Sequence, residues 1–322
     1  MEIIKTAIHK TYGTPEVIEI IEVEKPSPKI NEVLVKLKAS SVTRADTLMR
    51  QGVPKFARLF LGILKPKNTA LGTGFSGVIE AIGDDVTKLS INDEVFGEIL
   101  FSSGANSEYV CMPEDAIIVK KPKNQKYFEA ACNCDGVLTS YSFLKEIALL
   151  KSGQHILING ASGSLGTAAV QLAKTMNVRV TAVCSSSNFD MVKDLGADEL
   201  IDYKTQDFTM NNQAYDIIYD AIGTLSYSQC KKVLGSTGVF MSPVLSTSLL
   251  WFSIIKPKRA KFSATGMKKK EDLKKLLKDI VALIKEEKIK VVMDRTYALD
   301  DLKEAHRYIE TGRKKGNIAI VN

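Results

Sequence analysis

The spacing of hydrophobic and polar positions changes along the chain, and the changes mark two kinds of segment. From Val17 to Val23 apolar residues partly alternate with polar ones, and Pro26 and Pro28 then break the run. Glu32 to Ala39 (E-V-L-V-K-L-K-A) alternates well enough for a half-buried strand. After the turn-prone A-L-G-T-G-F-S-G, Val78 to Gly83 and Asn92 to Gly97 read as further short strands, and Pro113 and Pro122 mark an exit. Short strands punctuated by glycine over residues 1 to 122 predict a barrel-like β domain. Phe128 to Leu149 has helical composition and leads through Lys151-Ser152-Gly153 into a different pattern.

That pattern alternates strand and helix. Ile156 to Ile158 is a buried strand, and a helix rich in Ala and Leu starts at Thr167. Arg179 to Val183 is a second strand, Asn188 to Leu195 a helix ended by Gly196, and Glu199 to Ile201 a third strand. Ala214 to Ile218, Ser226 to Leu234 and Gly238 to Met241 repeat strand, helix, strand. Such spacing predicts a doubly wound parallel sheet with its ligand at the carboxyl ends of the strands. The tail reads as an amphipathic helix (Glu271 to Glu287), a strand (Val291 to Met293), a helix (Leu299 to Tyr308) and a strand (Ile318 to Val321). It does not continue the alternating unit, and we expect it to return to the first domain.

Between strand and helix the chain reads G-A-S-G-S-L-G, with glycines at 160, 163 and 166. Gly160 permits a tight turn, Gly163 a close approach to a diphosphate, and Gly166 close packing of helix on strand. Ser162, Ser164 and Leu165 complete the loop, and the helix N-terminus offers N–H groups to phosphate. A dinucleotide is the expected ligand; a purely structural turn is the alternative. An NAD site usually carries Asp or Glu about 20 residues past the glycines. Here the second strand ends in Cys184-Ser185-Ser186-Ser187-Asn188, with Tyr203 and Lys204 following the third strand. Ser185, Ser186, Asn188 and Tyr203 are donors for a 2′-phosphate, so NADPH is the expected cofactor; otherwise the serines only cap the next helix.

Composition narrows the rest. The 322 residues suffice for two domains, and 45% hydrophobic with 25% charged residues is the mixture of a folded globular protein. No stretch approaches the ~20 apolar residues of a membrane span. With no apolar signal core at the N-terminus, the expected location is cytoplasmic. Five cysteines without a C-x-x-C pair argue against a disulfide framework. The net charge is +7, and the lysines between Lys256 and Lys275 lack the aromatics of a nucleic-acid platform. No nucleic-acid partner is expected.

Taken together, P-K-I-N-E-V-L-V-K at Pro28 to Lys36, D-T-L-M-R-Q-G at Asp46 to Gly52, G-F-S-G-V-I-E-A-I-G, N-D-E-V-F-G, L-T at Leu138-Thr139, the glycine turn, L-G-A-D-E-L-I-D-Y, D-A-I-G at Asp220 to Gly223 and E-A-H-R-Y-I-E-T-G resemble one family over nearly the whole length. The family is the medium-chain dehydrogenase/reductase superfamily, in its zinc-independent quinone oxidoreductase branch. The resemblance implies a GroES-like catalytic domain (residues 1–122 and 265–322) and a Rossmann NADP-binding domain (123–264), with the active site in a cleft between them and a homodimer as the assembly. Zinc-dependent relatives carry ligands at positions held here by Thr43, Thr73 and Gly74, so no metal is expected.

The implied activity is hydride transfer from NADPH to a small hydrophobic, electron-poor quinone or α,β-unsaturated carbonyl. A zinc-type alcohol dehydrogenase and a non-catalytic NADPH-binding sensor or scaffold are the alternatives. Thr139 and Ala221 resemble residues packed beside the cofactor, and Asn317 stands where relatives often have a Lys facing it. Leu48 replaces the Tyr that several relatives carry. Thr43 is the candidate for orienting substrate or cofactor, or else a structural threonine. Asp46 and Arg50, at i and i+4, are expected to pair with each other. Ser242 to Phe252, with Trp251, is expected either to line a greasy substrate pocket or to pack in a core or dimer contact.

Overall fold

The alternating segment at Glu32 becomes the spine of a β domain in the computed structural model, which describes residues 2–100, 104–210 and 213–322. The chain divides into two units: residues 1–135, 270–281 and 293–322, and residues 136–269 with 282–292. In the first, β1 (Ile3–His9) and β2 (Ile18–Glu24) form an antiparallel pair. There follow β3 (Glu32–Val42), α1 (Arg44–Gln51), α2 (Arg58–Leu61), β4 (Gly74–Ile82), β5 (Glu94–Glu98), β6 (Tyr109–Pro113), β7 (Ile117–Lys120) and α3 (Tyr127–Ala131). Antiparallel pairings join β3 to β4 and β6, β4 to β5, and β5 to β7. Val33, Val35 and Leu37 alternate inward on β3 and pack with Phe75, Ile79 and Val95. Each such side chain contributes roughly 1.5–3 kcal/mol of hydrophobic stabilisation.

The second unit contains α4 (Thr139–Ser142), β8 (His155–Asn159), α5 (Ser164–Thr175), β9 (Arg179–Cys184), α6 (Phe189–Asp194), β10 (Glu199–Asp202), β11 (Tyr215–Asp220), α7 (Tyr227–Cys230), β12 (Leu234–Ser242), α8 (Thr247–Ile255) and β13 (Ala260–Phe262). The strands are parallel in the order β10-β9-β8-β11-β12-β13. Renumbered within the sheet this is 3-2-1-4-5-6, the Rossmann order, with its topological switch between β8 and β11. After α9 (Lys270–Lys285), the tail supplies β14 (Met293–Ala298), α10 (Leu302–Glu310) and β15 (Asn317–Val321). β15 is antiparallel to β3 with Ile318 opposite Val42, and β14 lies parallel to β15.

Several expected elements differ. The helix expected from Ser226 to Leu234 is one capped turn, because Leu234 already pairs with Tyr215 as the start of β12. The long helix expected from Phe128 to Leu149 is interrupted by two π-helical segments, Asn133–Leu138 and Phe143–Ile147. The expected strand at Val291 begins only at Met293. The apolar stretch after Ser242 folds as α8, capped by Ser246, whose Oγ accepts from Leu249 N–H at 3.1 Å.

Candidate cofactor and active site

The glycine loop follows the last residue of β8. Gly160 has φ +79°, and the N–H groups of Gly160 and Ala161 both donate to Val183 O, at 3.0 and 3.1 Å. Gly163 N–H donates to Gly160 O at 3.1 Å, and Thr167 Oγ1 donates back to Gly163 O at 2.9 Å. A Cβ on Gly163 would meet only Gly160 O, at 3.5 Å, so the loop leaves an open cradle there. A Cβ on Gly166 would run into the Gly160 carbonyl and lie 2.5 Å from Ala161 Cα. α5 starts from Gly163 without a side-chain cap, and its first-turn N–H groups are the donors a diphosphate needs. Ser162, Ser164 and Leu165 lie in this turn.

Thr139, buried at the start of α4, sits next to Ser140, whose Oγ donates to Leu165 O at 2.9 Å. The neighbouring strand end is fixed by Asp220, which sequence reasoning gave no role of its own. Its buried carboxylate accepts from Asn159 Nδ2 (2.9 Å), Gly223 N–H (3.0 Å) and Leu225 N–H (2.8 Å). Burial still raises its pKa. Ala221 N–H donates to Asn159 O at 3.1 Å, placing Ala221 and Gly160 at the adjacent carboxyl ends of β8 and β11. The readable signal was a polar residue, Asn159 or Asp220, closing each of two neighbouring strands directly before a glycine-containing turn.

At the end of β9 the serines do not cap α6, because neither Ser185 nor Asn188 makes a side-chain capping bond. Ser186 is exposed, Tyr203 and Lys204 are exposed, and Asn188 has a buried Oδ1 with no partner. The end of β9 itself carries no carboxylate, but the register sets Asp202 of the next strand opposite Cys184. Asp202 accepts from the backbone N–H of Lys204 at 2.9 Å and of Ser186 at 3.2 Å, and these bonds hold its pKa down. Adjacent parallel strands bring together what lies 16 residues apart in the chain.

The remaining predicted residues belong to the first unit, apart from Trp251, which is exposed on α8. Thr43 caps α1: its Oγ1 donates to Asp46 Oδ2 at 2.7 Å and accepts from Asp46 N–H at 3.0 Å. Its proton is thus engaged within the cap. Asp46 and Arg50 do not pair with each other. Arg50 turns instead to Glu310, Gly13 O and His306, because the capping box already holds the Asp46 carboxyl. Leu48 is half-buried, and Asn317 is buried at the head of β15, opposite Met293. A Cβ on Gly74 would lie 2.5 Å from Ser41 Oγ.

Opposite Gly74, β5 carries Glu98, a buried residue the sequence reading did not single out. Its Oε2 has no hydrogen-bond partner among the described residues. Burial, with Asp135 and Asp46 nearby, pushes its pKa up to about 8. Burial raises Asp46 to about 7 against the opposing bonds from Thr43. The folded chain therefore holds protons that the unfolded chain releases, so this stability is complete below about pH 4 and lost as pH rises through 7 to 8. We expect the unfolding free energy to fall across that interval. Glu98→Gln should remove its share and exceed the wild type at pH 8 by about 2 kcal/mol. Denaturant titrations at pH 5 and pH 8 check this; parallel pH profiles for the two proteins would contradict it.

A Rossmann-order sheet with an open glycine cradle defines a dinucleotide-binding protein. Residues 29–123 match the alcohol dehydrogenase GroES-like domain, and residues 195–320 match the zinc-binding dehydrogenase family. The chain is 32% identical over 314 residues to the chloroplastic quinone-oxidoreductase QR1 of Triphysaria versicolor, covering 93% of this chain and 92% of that one. It is 29% identical to 2-methylene-furan-3-one reductase of Solanum lycopersicum, covering 96% and 76%. The solved quinone oxidoreductase of Coxiella burnetii superposes with a TM-score of 0.88 at 26% identity, covering all of both chains.

The chain belongs to the medium-chain dehydrogenase/reductase superfamily, among its quinone oxidoreductase-like members. It is thus an NAD(P)H-dependent oxidoreductase with a GroES-like domain and a Rossmann domain. At the positions where the resemblance places zinc ligands, Thr43, Thr73 and Gly74 are not zinc-ligand residue types.

Proposed function

We propose that this protein uses NADPH to reduce a small hydrophobic quinone or α,β-unsaturated carbonyl without a metal. The open cradle at Gly163, roofed by α5, carries this reading: it fits a diphosphate, while the positions of the zinc ligands hold residues that cannot bind zinc. When bound, the nicotinamide supplies the hydride. The chain's own residues supply position. The glycine loop and the first turn of α5 hold the diphosphate, and Thr139 and Ala221 fix the reactive end. Ser185, Ser186, Tyr203 and Lys204 donate to the 2′-phosphate, with Asn188 presenting its amide beside them. Asp202 keeps its charge at this strand end, because the backbone N–H groups of Ser186 and Lys204 favour the ionised form, so the side-chain donors must outweigh its repulsion for the 2′-phosphate to be preferred. Asn317 is the further cofactor contact, and Leu48 is the apolar contact for substrate.

The test is oxidation of NADPH and NADH in EDTA-containing buffer against a panel of quinones, enones and alcohols. We expect NADPH-selective quinone or enone reduction that EDTA leaves unchanged. Ser186→Asp should weaken NADPH at least tenfold and leave NADH nearly unaffected, since it sets a carboxylate against the phosphate. Zinc-dependent alcohol oxidation would overturn the proposal. Tight NADPH binding without turnover on any acceptor would do so in favour of a sensor.

A further inference from the structure

Two exposed segments share a pattern that the oxidoreductase reading does not use. Residues 60–67 read F-L-G-I-L-K-P-K and residues 251–258 read W-F-S-I-I-K-P-K: in each, an aromatic residue opens an apolar run that ends in K-P-K. The first lies in the β unit and the second in the Rossmann unit. In the first, Phe60 is 79% and Leu64 91% exposed; in the second, Trp251 is 61% and Ile254 67% exposed. Water-facing apolar clusters of this kind mark surfaces meant to be covered.

Neither segment is slack chain. Tyr12 Oη donates to Gly62 O at 2.7 Å and Lys67 N–H to Leu61 O at 2.7 Å, which holds the first turn. In the second, Ser246 caps α8, Phe252 packs on Tyr227 at 5.0 Å, and the Arg259 guanidinium binds the carbonyls of Gly235, Ser236 and Gly238. The apolar side chains are therefore held outward by folded backbone.

Charge identifies the occupant. Lys65, Lys67, Lys256 and Lys258 are exposed, and none is paired with a carboxylate among the described residues. No acidic residue stands between Asp46 and Glu80, or between Asp220 and Glu271. A second copy of either face would bring lysines against lysines at a cost of like-charge repulsion. An anionic bilayer satisfies both halves of the pattern: its acyl boundary takes Phe, Trp, Leu and Ile, and its headgroups take the flanking lysines.

We propose that these two K-P-K segments are surface anchors for an anionic lipid membrane, engaged without any spanning helix. The proposal is independent of the reaction. Two weak anchors on one chain act together, because binding through one raises the effective concentration of the other wherever the geometry lets both engage.

Trp251 is the single tryptophan of the chain, so its emission is a built-in reporter. The protein is mixed with vesicles of phosphatidylcholine plus phosphatidylserine, and separately with phosphatidylcholine alone, at low and high salt. We expect flotation with the anionic vesicles only, a blue shift of Trp251 emission, and release by salt. Lys65→Glu with Lys67→Glu, and Lys256→Glu with Lys258→Glu, should each weaken partition about tenfold or more, and together abolish it. These exposed lysines can be changed without touching a core, and Phe60→Ser with Leu64→Ser tests the apolar half separately. The proposal fails if the wild type stays unbound at low salt, or if the charge-reversed proteins float equally well. It fails also if the Trp251 shift grows with protein concentration in the absence of lipid, which would make a second copy the occupant.

Discussion

Gly166→Val is expected to lose NADPH binding by a hundredfold or more while the first unit stays folded. The reason is steric and local. Any Cβ at this position runs into the Gly160 carbonyl and comes within 2.5 Å of Ala161 Cα, and both contacts are backbone. Backbone cannot step aside as a flexible side chain does, so either α5 moves away from β8 or the turn opens. Either way the first-turn N–H groups leave the positions where they meet a diphosphate. Gly166→Ala should show a smaller loss of the same kind, and Gly163→Ala a smaller one still, because its Cβ would meet only one atom, at 3.5 Å. Titrating NADPH against the three variants gives the order. Equal losses at 163 and 166 would show that the loop rearranges freely and that close helix–strand packing is not what matters.

Arg50→Ala should destabilise the first unit by about 2 kcal/mol, from the buried volume it empties and the Gly13 carbonyl it leaves without a donor, since Glu310 is part-exposed. The Arg50 side chain is fully buried. Its guanidinium reaches Glu310 and Gly13 O, and its Nε donates to His306 Nδ1 at 3.4 Å. Burial, with Arg50 adjacent, holds the His306 pKa down to about 3, so the imidazole is neutral and able to accept. Removing the cation leaves the Gly13 carbonyl without its donor, while the part-exposed Glu310 carboxylate keeps only Gln51 Nε2, at 2.9 Å. Arg50→Met, which keeps volume but not donors, should recover part of the loss. Chemical denaturation of the three proteins measures this, and a cost below about 1 kcal/mol for Arg50→Ala would place the residue with ordinary surface arginines.

That arginine shows where sequence reading stops. D-T-L-M-R-Q-G and E-A-H-R-Y-I-E-T-G are both visible in the chain, yet nothing in either says that Arg50 answers to Glu310, 260 residues away. The i, i+4 spacing points to Asp46 instead. In the fold, the Thr43 capping box already holds the Asp46 carboxyl, and β15, arriving beside β3, brings α10 within reach. The serines after β9 have the same history. As a sequence they lack a carboxylate, whereas in the sheet Asp202 of the next strand stands at their backbone. Glu98 carries no mark of burial in the sequence; only the antiparallel register sets it opposite Gly74, inside the unit.

Local backbone chemistry and periodicity are properties of neighbouring residues, so the sequence alone determined the glycine loop, the alternation of strand and helix, and the absence of zinc-ligand residue types at 43, 73 and 74. It also carried the two K-P-K segments in plain view. Exposure, pairing and desolvation depend on residues that meet only after the chain has closed on itself. For that reason only the tertiary structure decided the partner of Arg50, the burial of Glu98, the place of Asp202, and the outward face of Phe60 and Trp251.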